Sequence, residues 1–522
     1  MNSAGGSLLA SYEPGPGYDE LVGGGHSPQG MASGLWRYLE AIGIEGLVER
    51  QQAADREIRS IGITFQTYQG TAAVDRPWPF DVIPRVLDSS EWDRIERGLV
   101  QRLRALNLFI DDVYHDQRCL RAGILPAELV LGSPNFRPEC MGANPVGRIW
   151  AQVCGSDLVR DKDGTLYVLE DNLRVPSGVS YLLENRMVAK HVFPELFRYY
   201  SIEPVGLYVP RLCELLSSLS PVRDDPTMVV LTPGIHNSAY FEHAFLAQQM
   251  GLELVEGSDL LVLEDGTVCM RTVGGLERVD VIYRRIDELY LDPETLRRDS
   301  LIGVPGLLRA WRAGKVALAN APGAGVADDK AVYRFVPELI RYFLAEDPIL
   351  PSVPTWRCGE PEDCRFVLDH LDSLVVKPAN ESGGYGVVIG PAASEDALAF
   401  VARRIEQHAP NWVAQPVVSL STMPTLHDES IVPRHVDLRP FTLLGPEGSY
   451  VTPGGLTRVA QAEGSLIVNS SQGGSSKDTW IVSAAIEHED PSPDATSATR
   501  SSPGRFDPIE ATVTAALGGM DG

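Results

Sequence analysis

The chain has no Cys-x-x-Cys pair, no Gly-Lys-Ser/Thr phosphate loop, no surplus of basic residues, and no apolar run approaching the ~20 residues of a membrane-spanning helix. Each absence closes off a class. The seven cysteines, at 119, 140, 154, 213, 269, 358 and 364, are odd in number and scattered. That argues against a disulfide framework and structural zinc and favours reduced thiols in a cytoplasm. The segment Met1-Asn-Ser-Ala-Gly-Gly-Ser7 lacks a basic stretch followed by an apolar one, so no secretory signal and no membrane association are expected. A net charge of −25 argues against nonspecific binding to nucleic acid, while leaving room for a local basic pocket. What remains is a globular composition, 44% hydrophobic and 22% charged, over 522 residues. That is too long for one core, and about two to four domains are expected.

The most informative stretch is Gly155-Ser-Asp-Leu-Val-Arg-Asp-Lys-Asp-Gly-Thr-Leu-Tyr-Val-Leu-Glu-Asp-Asn172. Asp163-Gly164 is a hairpin signal between two short strands. Pairing Arg160 with Thr165 sets Asp157 opposite Val168, and strand alternation then puts Glu170 and Asn172 on the face of Asp157. Two carboxylates and a carboxamide at one end of a hairpin are oxygen ligands suited to Mg²⁺ with phosphates completing the shell.

A second stretch runs Ser373-Leu-Val-Val-Lys-Pro-Ala-Asn-Glu-Ser-Gly-Gly-Tyr-Gly-Val-Val-Ile389. A strand ends at Lys377, the loop Glu381 to Gly386 follows, and Val387–Ile389 returns. Ser382, Gly383, Gly384, Tyr385 and Gly386 let backbone N–H groups turn towards a phosphate, and Lys377 adds a compact positive charge. Such a loop is also a common plain turn. Lys330 opens an expected helix running to about Phe343, where the helix dipole favours an anion; a solvated lysine is the plainer reading. Trp412 to Val417 is a strand whose end, with Gln415, is placed to line an adenine slot. Arg439 falls within a strand, where a buried arginine needs an anionic partner. The Gly-rich stretch 469–478, with Lys477, is read either as a surface loop or as a cover over the ligand.

The order of elements completes the outline. Residues 1–30 are rich in Gly, Pro and Ser and are expected to lack fixed structure. Helices are expected from about Glu45 to Ile61 and from a Ser89-Ser90 cap, the latter with Trp92, Ile95, Leu99, Leu103, Leu106 and Ile110 as its core face. A polar linker near residues 221–225 precedes strand Met228–Leu231, helix Ala239–Met250, strand Leu252–Val255 and strand Asp280–Tyr283, a small parallel α/β unit. His236, Asn237, Arg284 and Arg285 follow its strands, where ligands of such sheets sit and where loop capping equally explains them. The divisions expected are therefore 1–30, 31–220, 226–320, 321–484 and a Ser/Pro/Glu-rich tail at 485–522.

Together these motifs resemble the ATP-grasp superfamily. In that family an Asp and a Glu-x-Asn after a short hairpin hold Mg²⁺ at the ATP phosphates, as Asp157, Glu170 and Asn172 would. Its two lysines and phosphate loop correspond to Lys330, Lys377 and Ser382 to Gly386. Here the metal strands precede the lysines, the reverse of the usual order and the mark of the circularly permuted members. Asn172 to Ser180, Gly234 to His243, Tyr283 to Glu288 and Asn469 to Gly474 resemble the type 2 branch, related to glutathionylspermidine-synthase-like ligases, over about residues 60–483. Gln415 stands where many members carry an acidic adenine contact. The resemblance implies an α/β (α+β) fold with a pre-ATP-grasp-like parallel unit, ATP and Mg²⁺ as cofactors, and a carboxylate–amine or carboxylate–thiol ligase acting through an acylphosphate on a small-molecule or peptide substrate. Arg174 would stabilise the acylphosphate or bind the acceptor carboxylate. A nucleotide-binding scaffold without ligase activity, or a phosphoryl transferase, are the other readings.

Overall fold

The computed structural model describes residues 12–15, 17–22, 30–69, 72–221, 225–379, 386–468 and 474–485, without the side chains of 66–69, 72–75, 484 and 485. Its centre is an eight-stranded sheet. The path across it runs Gly448–Val451, Phe441–Gly445, Val153–Arg160, Ser430–Arg439, Leu456–Val459, Ser475–Lys477, with Leu166–Asn172 paired to Val153–Arg160 and Thr422–His427 to Ser430–Arg439. Val153–Arg160 thus lies between two strands from far down the chain, antiparallel to both. The helix Ser89–Val113 packs on this sheet, and Trp92, Ile95, Leu99, Leu103, Leu106 and Ile110 are all buried, as their spacing requires.

Two smaller sheets flank the centre. Ala317–Ala319, Val281–Arg284, Met228–Leu231 and Glu253–Val255 form an all-parallel sheet in that order. The helix Tyr240–Met250 supplies the crossover that the parallel pair Met228–Leu231 and Glu253–Val255 needs. The second sheet is antiparallel: Trp356–Arg357, Trp412–Pro416, Leu374–Pro378, Val388–Ile389. Helices Pro361–Asp369 and Glu395–Gln407 bury Val367, Val401 and Ile405 against Leu374, Val376 and Trp412 on one of its faces. The other face is left to the cavity.

Local differences from the sequence expectations have clear causes. The helix expected from Glu45 begins at Ala32, because Gly43 takes φ 66° and lets two helical stretches run on through a kink. The cap of the long helix is Asp88, whose carboxylate accepts the Ser90 N–H at 2.8 Å, rather than a serine. The helix expected from Lys330 to Phe343 is two pieces, Lys330–Tyr333 and Val336–Leu344, broken ahead of Pro337. The N-terminal segment, expected to be structureless, is packed where described: Asp19 is buried and accepts N–H bonds from Leu21 and Val22, and Glu20 is paired with Arg85 and Arg160. Lys477 is not in a loop. It is a fully buried strand residue bound to Asp81 and to the carbonyls of Ile83 and Pro424. Residues 469–473, 222–224 and 486–522 lie outside the described residues.

A buried carboxamide ties the parallel sheet to the central one. Asn320 accepts the N–H groups of Gln152 and Val153, both at 2.8 Å, and donates to the carbonyls of Val153 at 2.7 Å and Leu173 at 2.6 Å. All four hydrogen-bonding positions of the amide are used. Asn320→Ala would leave those backbone groups buried and unpaired, at a cost of about 3 kcal/mol, readable as a lowered denaturant midpoint. An unchanged midpoint would show that the clamp is not structural.

Candidate active site

The hairpin that carries Asp157 turns at Asp161–Gly164, where Asp161 N–H donates to Thr165 O at 3.0 Å and Gly164 takes φ 83°. Arg160 therefore pairs with Leu166 rather than Thr165, and Leu158 with Val168. A bulge then shifts the register so that Asp157 stands opposite Glu170 and Gly155 opposite Asn172. Had the register of Leu158 and Val168 continued unshifted, Asp157 would face Leu169, and Glu170 would turn to the side where Leu158 and Val168 are buried. The bulge is what puts Asp157, Glu170 and Asn172 on one face.

That face lines a cavity of about 480 Å³ between the central sheet and the lysine-bearing sheet. Val159, Asp157 and Gly155 mark its length in steps of roughly 6.5 Å. At the Val159 end the lining is aliphatic: Leu169, Val418, Leu420, Leu466 and Val468 form one cluster with Val159. The middle holds Lys330, Lys377, Arg439 and Arg458 with Asp157, Glu170 and Asp437. At the Gly155 end, where a Cβ would meet Pro176 at 3.1 Å and the Arg439 stem at 3.5 Å, the lining becomes Ser177, Gly178, Tyr181, Trp78 and Phe65.

The charges in the middle hold one another. Asp157 accepts Arg439 Nε at 2.6 Å and Nη2 at 2.8 Å, and Arg458 Nη2 at 2.8 Å. Burial pushes its carboxyl up, but the two guanidinium groups overcome this and hold it well below the usual range. Arg458 also grips Asp437, which burial keeps raised. Lys377 donates to Gln415 Oε1 at 2.7 Å, and Gln415 Nε2 donates to Thr355 Oγ1 at 3.0 Å. Burial lowers Lys377 to about 8, against the pull of Glu170. Lys330 reaches across to Glu170 at 3.9 Å, and its backbone N–H donates to Ala379 O, tying it to the end of the Lys377 strand.

Of the residues singled out from sequence, Asp157, Glu170, Asn172, Lys330, Lys377, Gln415 and Arg439 line this cavity. Gly386, with φ 72°, is exposed, and Ser382, Gly383, Gly384 and Tyr385 lie outside the described residues. Arg174 does not line the cavity; its Nε donates to Asp328 at 2.8 Å, a carboxyl that burial raises to about 6. Arg284 is fully buried, donating to the carbonyls of Asn320 and Ile286. Arg285 is buried against Glu242 and Ser177. Glu242 in turn accepts the N–H groups of Gly178 and Ser180 at the start of helix Val179–Val192, so this pair fixes the cavity floor rather than facing into it. Asn237 caps its own turn through Ala239 N–H, and His236 is exposed on the same loop; the adjoining Ser238 and Ala239 reach the cavity instead. Sequence reasoning missed Arg458, Asp437 and the aromatic end. Arg458 had a signal, a charge inside the apolar strand Leu456–Val459, the same signal that marked Arg439.

No group of three His, Cys, Asp or Glu side chains suited to a metal occurs among the described residues. The donor set still fits a hard cation in part. Glu170 is a third exposed at its side chain, and Asn172 spends its Nδ2–H on Gly155 O, leaving its carbonyl oxygen for a cation. Asp157, by contrast, has both oxygens committed to arginines.

Residues 84–460 match the family described as circularly permuted ATP-grasp type 2. An uncharacterized protein of Synechocystis sp. is 51% identical over 480 residues, covering 92% of this chain and all of that protein. A putative glutamate–cysteine ligase 2-3 of Frankia alni is 47% identical over 481 residues, covering 91% of this chain but 54% of its own length, so the chain spans about half of that relative. Among solved structures, a glutathione synthetase-like effector from Globodera pallida in apo form superposes with a TM-score of 0.52 at 10% identity, over 84% of this chain and 98% of that one, a likeness of fold. With its early acidic hairpin and late lysine strand closing on one cavity, the chain belongs to the circularly permuted ATP-grasp type 2 family.

Proposed function

We propose that the protein is an ATP-dependent ligase that joins a carboxylate to an amine or thiol through an acylphosphate. The observation that carries this is the meeting of Lys330 and Lys377 with Glu170 and Asn172 across a single cavity, although the two sets lie far apart in the chain. In a protein of net charge −25, a cavity whose four cations outnumber its three carboxylates suits an anionic ligand. The aliphatic end, beside Gln415, takes the adenine; the lysines take the phosphates. The Frankia relative's name agrees with a ligase, though it belongs to a protein about twice as long.

The chemistry asks little covalent work of the chain. A carboxylate oxygen attacks the γ-phosphorus and ADP leaves. The amine nitrogen or thiol sulfur then attacks the acyl carbon, loses its proton, and phosphate departs. Lys377 and Lys330 neutralise the phosphoryl oxygens as charge moves, and the desolvated cavity keeps water from the acylphosphate. Glu170 and Asn172 would hold Mg²⁺, which supplies charge stabilisation at the phosphates. Asp157 holds Arg439 and Arg458 in place, so its part is positioning unless the ligand draws Arg439 away. The substrate is a small molecule or peptide, and the thiols and charge suit a cytoplasmic protein.

Lys377→Met should lower Mg-ATP turnover by at least ~100-fold. It should not lower stability at pH 7, because the folded protein already disfavours the lysine charge. Retained turnover would remove the catalytic assignment. The pH dependence has a definite sign. With Lys377 at about 8, the protonated, phosphate-binding form dominates below that pH and is lost above it. The ATP dissociation constant should rise about fivefold from pH 8 to pH 9, and Lys377→Arg should flatten the rise. Product mass decides the reaction across a panel of acids and amines: loss of water on joining two substrates marks a ligase, gain of phosphate a transferase, and ATP binding without ADP a scaffold.

A further inference from the structure

The Gly155 end of the cavity has a chemistry that the nucleotide does not need. Phe65, Trp78 and Tyr181 form one aromatic wall: Trp78 and Tyr181 stack with centroids 3.7 Å apart and 12° between planes, and Phe65 meets both edge-on at 5.8 and 6.0 Å. Their polar atoms are engaged outside the cavity. Trp78 Nε1–H donates to Asn185 at 3.1 Å and Tyr181 O–H to the Thr64 carbonyl at 3.0 Å, so ring carbon is what the wall contributes to the lining. The floor is kept open by Gly178 at φ 120°, where a Cβ would meet Leu456 at 3.0 Å. At the boundary with the charged middle, Arg439 Nη1 donates to the Ser177 carbonyl at 3.2 Å, placing a guanidinium between the phosphate region and the rings.

We propose that this end is the acid-substrate site and that it selects a carboxylic acid whose reacting carboxylate lies at Arg439 and whose side chain is aromatic or large and apolar, as at the C-terminus of a peptide. This rests on the ligase reading for the sense of the carboxylate, and on the wall alone for the side chain. Among the described residues, no Asp, Glu, Lys or Arg joins Phe65, Trp78, Tyr181, Ser238, Ala239 and Leu456 in lining that end. An anionic side chain there would lose its hydration with no cation to replace it and would meet the negative faces of the rings. A flat apolar group gains both area and ring contacts. The adenine has its own aliphatic slot at the far end, beyond the carboxylates.

The test is calorimetric titration of the full chain, saturated with Mg²⁺ and a non-hydrolysable ATP analogue, with the dipeptides Gly-Phe, Gly-Ala and Gly-Glu. Gly-Phe should bind about tenfold more tightly than Gly-Ala, with Gly-Glu no better than Gly-Ala. Trp78 is 3% exposed and its truncation endangers the fold, so the variants are Phe65→Ala and Ser238→Phe, which fills the same end. Each should weaken Gly-Phe by about fivefold or more while the analogue's affinity changes by less than about twofold. Absence of Gly-Phe binding, equal affinity for the three peptides, or parallel loss of analogue affinity in the variants overturns the proposal; the last outcome would assign the rings to the nucleotide. ADP formation, measured separately with Mg-ATP and each dipeptide across a panel of amines and thiols, separates the two claims. Selective Gly-Phe binding without ADP upholds the site and removes the ligase, whereas turnover with Gly-Glu and not Gly-Phe removes this site and leaves the ligase.

Discussion

Antiparallel pairing of Val153–Arg160 with Ser430–Arg439 and Phe441–Gly445 is the constraint from which the site follows. It sets a strand near the start of the matched region between two near its end. Asp157 then falls within reach of Arg439 and Arg458, and the bulge at Leu169 brings Glu170 round to the same face. The lysine-bearing sheet is held opposite with the help of the bond from Lys330 N–H to Ala379 O, the bond from Ser421 N–H to Arg160 O, and the segment 351–353, which runs along the hairpin edge through Val168. A chain whose functional segments are exchanged in order keeps its cavity because the sheet, and not the connectivity, fixes their positions.

Burying so many charges is unfavourable unless each has a partner. Here they partner one another: Arg439 and Arg458 on Asp157, Arg458 on Asp437, Lys377 on a neutral amide. The exception is instructive. Lys377, with only Gln415 within bonding distance among the described residues, is a cation whose charge burial disfavours, and it stands to gain from an incoming phosphate. Lys330 and Glu170, at 3.9 Å, are close enough to attract and too far for a tight bond. The middle of the cavity is thus fully paired at Asp157 and underpaired at Lys377, which directs an anion to the lysine side.

Much of this was legible in the chain itself, and the limits are physical. Asp157, Glu170 and Asn172 could be grouped because a hairpin is local, yet the partner of Asp157 lies two residues further on than expected, one residue from the longer turn and one from the bulge, which leaves no simple sequence mark. Lys377 and Arg439 were readable as charges inside apolar strands; Arg458 obeys the same rule and was passed over. The arginines after the parallel strands were misleading: a cation at a strand's carboxyl end is also what a buried network uses, and Arg284 and Arg285 serve backbone carbonyls and Glu242. Arg174 likewise joins Asp328 and not the cavity. The aromatic wall was invisible because Phe65, Trp78 and Tyr181 come from separate elements and meet only in the folded chain. Asn320, which joins two sheets, looks like any other asparagine until its four partners are seen.

The most direct measurement is a crystal structure with Mn²⁺ in place of Mg²⁺ and a non-hydrolysable ATP analogue, with the metal located by its anomalous signal. The account expects the manganese at the Glu170 carboxylate and the Asn172 carbonyl oxygen, the phosphates between Lys330 and Lys377, and the adenine among Val159, Leu169 and Val418. Nucleotide bound outside this cavity, or phosphates out of reach of Lys377 with the metal away from Glu170, would contradict it.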